Sequence, residues 1–435
     1  MVKGIASEAW VERLARNQIL SYFGSGGCSS ARIADAIDHL RNALPPDAPW
    51  GMNFLHNFLF PDQEDTFVDL LLARDVRRVE ASAFIQVTPA LVRYRLTGAF
   101  RNPSGRATPR NRVMAKLSRP EVARQFMAPP SPAIVATLLT QGRLTATEAA
   151  LAPELPLADD ICAEADSGGH TDRRPAWTLV PHFLDLRDEI AAQTGLRQRV
   201  RIGAAGGIGT PSAIAAAFML GADFVMTGSI NQCTPEAGTS DAVKDMLARA
   251  GIADFDIAPA GDMFEIGAKV QVLKRGTLFP GRAQRLFELY TRHTGLDDIP
   301  PATITEIETR WFGRPIATVW AETAAYYRRA APTELAAAEA NPKKRMAMVF
   351  RWYFVHTNRL AMEGRPEDKT NFQIHCGPAM GALNQWLRGT DLEDWRARHV
   401  DILTDRLMTA ATIHFDTMAR RRRTAQPLPL TEGVA

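Results

Sequence analysis

RIGAAGGIGTPSAIAAAFMLGADFVMTGSIN, residues 201–231, is the stretch on which the fold turns. Residues 201–205 form a short apolar strand. Gly206, Gly207 and Gly209 follow, and without a Cβ the backbone turns tightly and lets a ligand come close. Thr210 suits an N-cap and Pro211 the first helical position. Residues 212–220 are Ala-rich and helical, and Gly221 fits a left-handed stop. Residues 223–227 form a second buried strand, closed by Gly228 and Ser229. Two successive strands that each end in a Gly-rich loop aim several N–H groups at one anion, and a helix N-terminus adds partial positive charge. In a β/α barrel the last two βα loops hold a phosphate in this way. No Gly-Lys-Ser/Thr follows, and the spacing does not match GxGxxG. One such loop fits a close-packed turn equally well; the pair favours phosphate.

Upstream, strands alternate with helical runs. Strands are expected at 19–23, 51–55, 77–83, 112–117 and 160–165, with helices at 8–18, 30–44, 62–74, 89–97 and 177–193. Crossovers of this length suit parallel neighbours. The count with the glycine unit is seven, whereas a closed barrel has eight, and only residues 1–5 are available for a strand before the first. Beyond Asp262 helical patterns dominate. The expected fold is therefore an α/β TIM (β/α)8 barrel over 1–262 whose first strand is truncated or a stub. An all-helical appendage follows over 263–419, then a basic, Pro-rich, disordered tail over 420–435. A doubly wound open sheet is the alternative.

The 435 residues are 46% hydrophobic and 23% charged, ordinary for a globular chain, and the net charge of +3 makes no case for nucleic acid. Cys28, Cys162, Cys233 and Cys376 form no CxxC pair, which argues against a zinc site or a disulfide framework and for a reducing compartment. No signal peptide opens the sequence and no apolar run approaches ~20 residues, so no membrane segment is expected and the cytoplasm is the expected location. Arg93, Arg95, Arg101, Arg106, Arg110, Arg112, Lys116 and Arg119 follow one another without an acidic residue. Such a run is a solvated face or a docking surface for an acidic partner.

EADSGGHTD, residues 164–172, follows a buried strand on the same face as the glycine loops. Gly168 and Gly169 admit a flat ligand, and His170 is a proton donor or acceptor near neutral pH. Glu164 and Asp166 are expected to orient the loop or the histidine, since no second histidine lies at ligand spacing. Asn53 and Lys116 interrupt apolar strands. A barrel-facing lysine is costly unless paired: its partner is either the electron-rich edge of a flavin or Glu80. Cys28 and Cys233 read as small packing residues.

Several stretches together carry a resemblance: GMNFLHN (51–57), VEASAFIQVTPALVRYRL (79–96), AKLSRPEVARQF (115–126), DDICAEADSGGHTD (159–172), GAAGGIGTP (203–211), NPKKRMAMVFRWYF (341–354) and HCGPAMGALNQWLRGTDLEDW (375–395). The chain resembles the PfaD family, the stand-alone, trans-acting enoyl reductases of polyunsaturated-fatty-acid and trans-acyltransferase polyketide synthases. These are related to nitronate monooxygenases and to flavin-dependent enoyl reductases of bacterial fatty acid synthesis. Members usually carry further chain, with a full first strand, ahead of the GIAS segment. The resemblance implies FMN on a TIM barrel, its phosphate on the loops at Gly206, Gly207, Gly228 and Ser229. Asn53 and Lys116 would face the ring, and Gly168, Gly169 and His170 would line the active site. It implies NADPH or NADH as reductant and an enoyl thioester on an acyl carrier protein as substrate, delivered near the helical appendage, which also offers surface for a homodimer. The alternatives are a nitronate monooxygenase and a non-catalytic docking partner of a megasynthase.

Overall fold

The computed structural model describes residues 2–57, 61–169 and 171–424. Seven strands run in chain order across one sheet: β1 (Ser21–Phe23), β2 (Trp50–Leu55), β3 (Arg78–Ser82), β4 (Arg112–Leu117), β5 (Asp160–Glu164), β6 (Arg201–Ala205) and β7 (Phe224–Met226). Every neighbouring pair is parallel, with registers such as Met52↔Val79, Ala81↔Ala115, Ala115↔Ile161, Ile161↔Ile202 and Ala204↔Val225. Parallel neighbours need a crossover, and helices such as Ser30–Ala43, Ala176–Thr194 and Pro211–Met219 supply it. The result is a curled barrel sheet of seven strands, open between β1 and β7 among the described residues. Of the two edge strands, β7 is only half-buried while β1 is buried, as β5 is in the sheet's interior.

Among the described residues of the expected stub, 2–5 are turn and not strand. Lys3 and Gly4 donate their backbone N–H groups to Gly26 and Gly24, at 2.7 and 2.8 Å, and Gly24 donates back to Ala6 at 2.9 Å. Residues 3–6 thus fold as a turn against the loop after β1.

Two more strands, β8 (Phe255–Pro259) and β9 (Lys269–Leu273), form an antiparallel hairpin across the expected boundary at 262, with β9 in the stretch expected to be helical. The stretch expected as one appendage, 263–419, divides between two cores. Phe264, Phe279, Leu286, Phe312, Val319, Phe350 and Tyr353 belong to a helical unit with its own apolar centre. Phe372, Ile374, Met380, Leu383, Val400, Leu403 and Leu407 join the core of the barrel. The last helix, Val400–Thr424, crosses Pro211–Met219 and meets the first helix, Glu8–Arg16, where Arg13 pairs with Asp401 at 2.5 Å. It runs past the expected end at 419, so residues 420–424 are helical, while 425–435 lie outside the described residues.

Candidate active site

A cavity of about 2470 Å³ runs from the starts of β5 and β6, at Asp160 and Arg201, to the C-terminal mouth of the sheet and reaches the helical unit. Asn53, Lys116, Gly168, Gly169, Gly206, Gly207, Gly228 and Ser229 all line it. His170 lies outside the described residues. None of the four cysteines lines the cavity: Cys233, for instance, is buried and directs its thiol at the Lys244 carbonyl, 3.4 Å away.

Four successive strands build its polar centre. Asn53 on β2 donates through Nδ2 to Glu80 Oε2 (2.9 Å) and Ser82 Oγ (2.8 Å), both on β3. The Ser25 hydroxyl bonds the Asn53 carbonyl. Lys116 on β4 places Nζ 3.2 Å from Glu80 Oε1 and 3.7 Å from Glu164 Oε1, on β5. Burial opposes its charge, but Glu164 and Glu80 together outweigh that cost and hold the ammonium above its ordinary pKa. The pairing with Glu80, one of two partners open from sequence, is therefore present, and Glu164 adds a second. Ser167 donates to Glu164 Oε1 at 2.9 Å and accepts from the Gly169 N–H at 3.2 Å. Glu164 thereby anchors the loop that carries the paired glycines, as the sequence reading expected.

The glycines divide by what surrounds them. A Cβ on Gly206 (φ +93°) would lie 2.6 Å from the Ala165 carbonyl oxygen, and one on Gly209 only 2.1 Å from that of Ala379. These two serve packing. Around Gly207 and Gly228 nothing stands within 4 Å of an added Cβ, so both face open space.

The sequence reading missed one contributor. Residues 375–379 come back from the helical region and lie against the strand-end loops. The Gly377 N–H donates to Ser229 Oγ at 3.1 Å, and a Cβ on Gly168 would stand 3.5 Å from Cys376 Cα. His375 lines the cavity with its Nε2 2.5 Å from the Gln373 amide, and its carbonyl accepts from Gln232 at 2.6 Å. HCGP was visible as a motif, but no local pattern ties it to loops 140 residues or more upstream.

The basic run at 93–119 is not an unpaired surface. Arg95 is fully buried against Asp159, Arg93 meets Asp65 and Asp69, and Arg101 meets Glu154. Arg110 meets Asp75, Arg112 meets Asp159, and Arg119 meets Asp172. Among the described residues no cluster of His, Cys, Asp and Glu could hold a metal ion, and no helix is long and apolar enough to cross a membrane.

Strand-end glycine loops stand around a lysine–carboxylate centre in a β/α barrel sheet. Residues 293–372 match the family model of the helical domain inserted in acyl-carrier-protein S-malonyltransferase, and 184–234 match a conserved region of glutamate synthase. The polyketide biosynthesis protein PksE of Bacillus subtilis is 48% identical over 413 residues, which is 95% of this chain and 54% of PksE. The polyketide biosynthesis protein ThaF of Burkholderia thailandensis is 47% identical over 421 residues, 97% of this chain and 36% of ThaF. This chain thus spans about half of one relative and a third of the other. The enoyl reductase domain of MlnA, from the macrolactin biosynthesis cluster of Bacillus amyloliquefaciens, superposes with a TM-score of 0.93 at 40% identity, covering 97% of this chain and 94% of that one. The chain belongs to this PfaD-like family of enoyl reductase domains.

Proposed function

We propose that this chain is an FMN-dependent enoyl reductase that acts in trans on α,β-unsaturated thioesters borne by an acyl carrier protein, with NADPH or NADH as reductant. The observation that carries the reading is the meeting, in one cavity, of two open glycine positions with a buried acceptor that lacks a partner. Asn53 Oδ1 is buried and has no hydrogen-bond partner among the described residues. A ring N–H of a flavin satisfies such an atom, which is otherwise costly to leave unmade. Gly207 and Gly228 leave room for a phosphate beside the N–H groups of both loops. These residues fit FMN: Gly206, Gly207, Gly228 and Ser229 hold its phosphate, Asn53 and Lys116 face the ring, and Gly168 and Gly169 let substrate approach.

When bound, the flavin supplies hydride transfer from the nicotinamide to Cβ of the enoyl chain. The protein's own task is then electrostatic and protonic. Negative charge that develops on the thioester oxygen needs donors already in place, and Cα needs a proton, which we assign to His170. Lys116 keeps its positive charge at the cavity floor because Glu80 and Glu164 flank it.

The test is a visible spectrum followed by anaerobic titration. A flavin spectrum that bleaches with NADPH and returns with crotonyl thioester supports the reading. A protein that stays colourless with added FMN overturns it, and one that reoxidises only with O₂ and a nitronate makes it a monooxygenase.

A further inference from the structure

Five cationic side chains line the cavity: Lys3, Lys116, Arg173, Arg201 and Arg351. Four are engaged. Lys3 donates to Asn358 at 2.6 Å, Lys116 sits between Glu80 and Glu164, Arg201 pairs with Asp160 at 2.6 Å, and Arg351 pairs with Glu265 at 3.3 Å. Arg173 alone has neither a hydrogen-bond nor an ion-pair partner for its guanidinium among the described residues; Lys3 also lacks a carboxylate, but its ammonium is held by Asn358. The neighbouring Asp172 is taken by Arg119 at 2.9 Å.

The backbone at Arg173 is also unusual. Its φ of +56° is left-handed, a conformation that a side chain with a Cβ seldom adopts and that clusters at ligand clamps. The turn is held on both sides: the Arg173 N–H donates to Thr171 Oγ1 at 3.1 Å, and the Arg174 carbonyl accepts from the Asp166 N–H at 3.1 Å. Four residues on, Trp177 opens the helix Ala176–Thr194 and lines the same cavity with its indole 72% exposed. The helical unit adds further apolar lining to the cavity through Tyr326, Met348, Phe354 and Val355.

We propose that Arg173 and Trp177 form the entry clamp for the 4′-phosphopantetheine portion of the thioester substrate. The assignment rests on the enoyl reductase reading above. A guanidinium forks through paired N–H groups onto the two free oxygens of the phosphodiester that joins such an arm to its carrier. An exposed indole covers an uncharged amide-and-methyl arm at little entropic cost. A single cation backed by apolar lining suits one phosphate at the end of such an arm. The pyrophosphate of a dinucleotide more often rests on a helix N-terminus or a Gly-rich loop.

The test is direct binding to the flavin-loaded protein by calorimetry. The probes are butyryl-4′-phosphopantetheine and butyryl-pantetheine, saturated thioesters that differ only in the phosphate. The native protein binds the phosphorylated probe at least about tenfold more tightly. Arg173→Glu abolishes that preference, Arg173→Lys keeps part of it, and Trp177→Ala weakens both probes alike. Equal preference in the native protein and Arg173→Glu overturns the assignment. So does a loss in Arg173→Glu of the preference for NADPH over NADH with the thioester preference intact, which moves Arg173 to the nicotinamide. These readouts need no turnover. Failure of the native protein to reduce a crotonyl thioester that it binds with phosphate preference removes the enoyl reductase reading and leaves the clamp standing.

Discussion

Replacing Lys116 with Met removes one ammonium from between two carboxylates and leaves the shape nearly unchanged. At 3.2 Å from Glu80 and 3.7 Å from Glu164, the two attractions are about 5 and 4.5 kcal/mol at an effective dielectric of about 20. Burial of the charges returns much of this, so the net loss on breaking the cluster is about 3–5 kcal/mol. The Lys116 side chain is only 21% exposed, so solvent screens little of it. The sign with pH follows from the raised pKa of the ammonium. A group whose folded value lies above its unfolded one contributes fully below the unfolded value, ordinarily 10.5, and loses that contribution as pH rises through the folded value. The difference between native protein and Lys116→Met is therefore constant from about pH 6 to 9. Urea unfolding followed by far-UV circular dichroism at about pH 6, 7.5 and 9 measures it across that window. Lys116→Arg should recover most of the loss. A Lys116→Met difference under about 0.5 kcal/mol, the size of an ordinary surface change, would refute the claim that this cluster holds the barrel centre together.

Three further outcomes concern the glycine loops and the histidine, and a fourth a buried ion pair. Gly206→Ala forces a Cβ into the Ala165 carbonyl at a left-handed φ and lowers stability by about 1–3 kcal/mol. Gly228→Ala meets no atom within 4 Å and changes stability by less than about 0.5 kcal/mol, yet weakens FMN binding about tenfold through loss of a charge-assisted contact; melts with and without FMN separate the two. His170→Ala leaves NADPH bleaching intact and slows reoxidation by crotonyl thioester about 10²-fold or more, as anaerobic stopped flow reads directly. Arg95→Met removes the buried partner of Asp159, leaving it Arg112, Gln198 and the Val113 N–H, and costs about 1–3 kcal/mol near neutral pH. Burial disfavours the Asp159 carboxylate, but Arg95 and Arg112 outweigh it and hold its pKa low; the contribution is present above the ordinary value of about 3.8 and is lost as pH falls through the lower folded value, so the urea midpoints of variant and native protein converge in acid.

The seven strands were legible because each is a short apolar run punctuated by glycine or proline, with a helix-length crossover between it and the next. The glycine unit was legible for a sharper reason. Thr210 caps the Ala213 N–H and Pro211 opens the helix, so local chemistry alone sets its geometry. The hairpin of β8 and β9 was not legible. Its residues carry no clean alternation, and part of its order comes from residue 375: Val272 bridges His375, and the Leu273 N–H donates to the Ile374 carbonyl at 2.9 Å. The final helix starts only at Val400; the short turn at Trp395–Ala397, begun by Asp394 accepting from the Arg396 N–H, precedes it and looks helical in sequence.

The return of residues 375–379 to the barrel mouth changes what the glycines mean. From sequence, GAAGGIGTP reads as a loop shaped for an anion. In the structure Gly209 is glycine because the Ala379 carbonyl lies where its Cβ would stand, and Gly206 because the Ala165 carbonyl does. The motif therefore encodes two demands at once. Gly207 and Gly228 leave space for a ligand, while Gly206 and Gly209 admit the neighbouring backbone that walls the ligand in. Ser229, whose hydroxyl accepts from the Gly377 N–H, ties the two together. A substitution in the helical region that displaces Ala379 would thus reach the cavity through Gly209 and Ser229 without touching a lining side chain. The helical segment after residue 372 acts as part of the site's wall, in keeping with its share of the barrel's core.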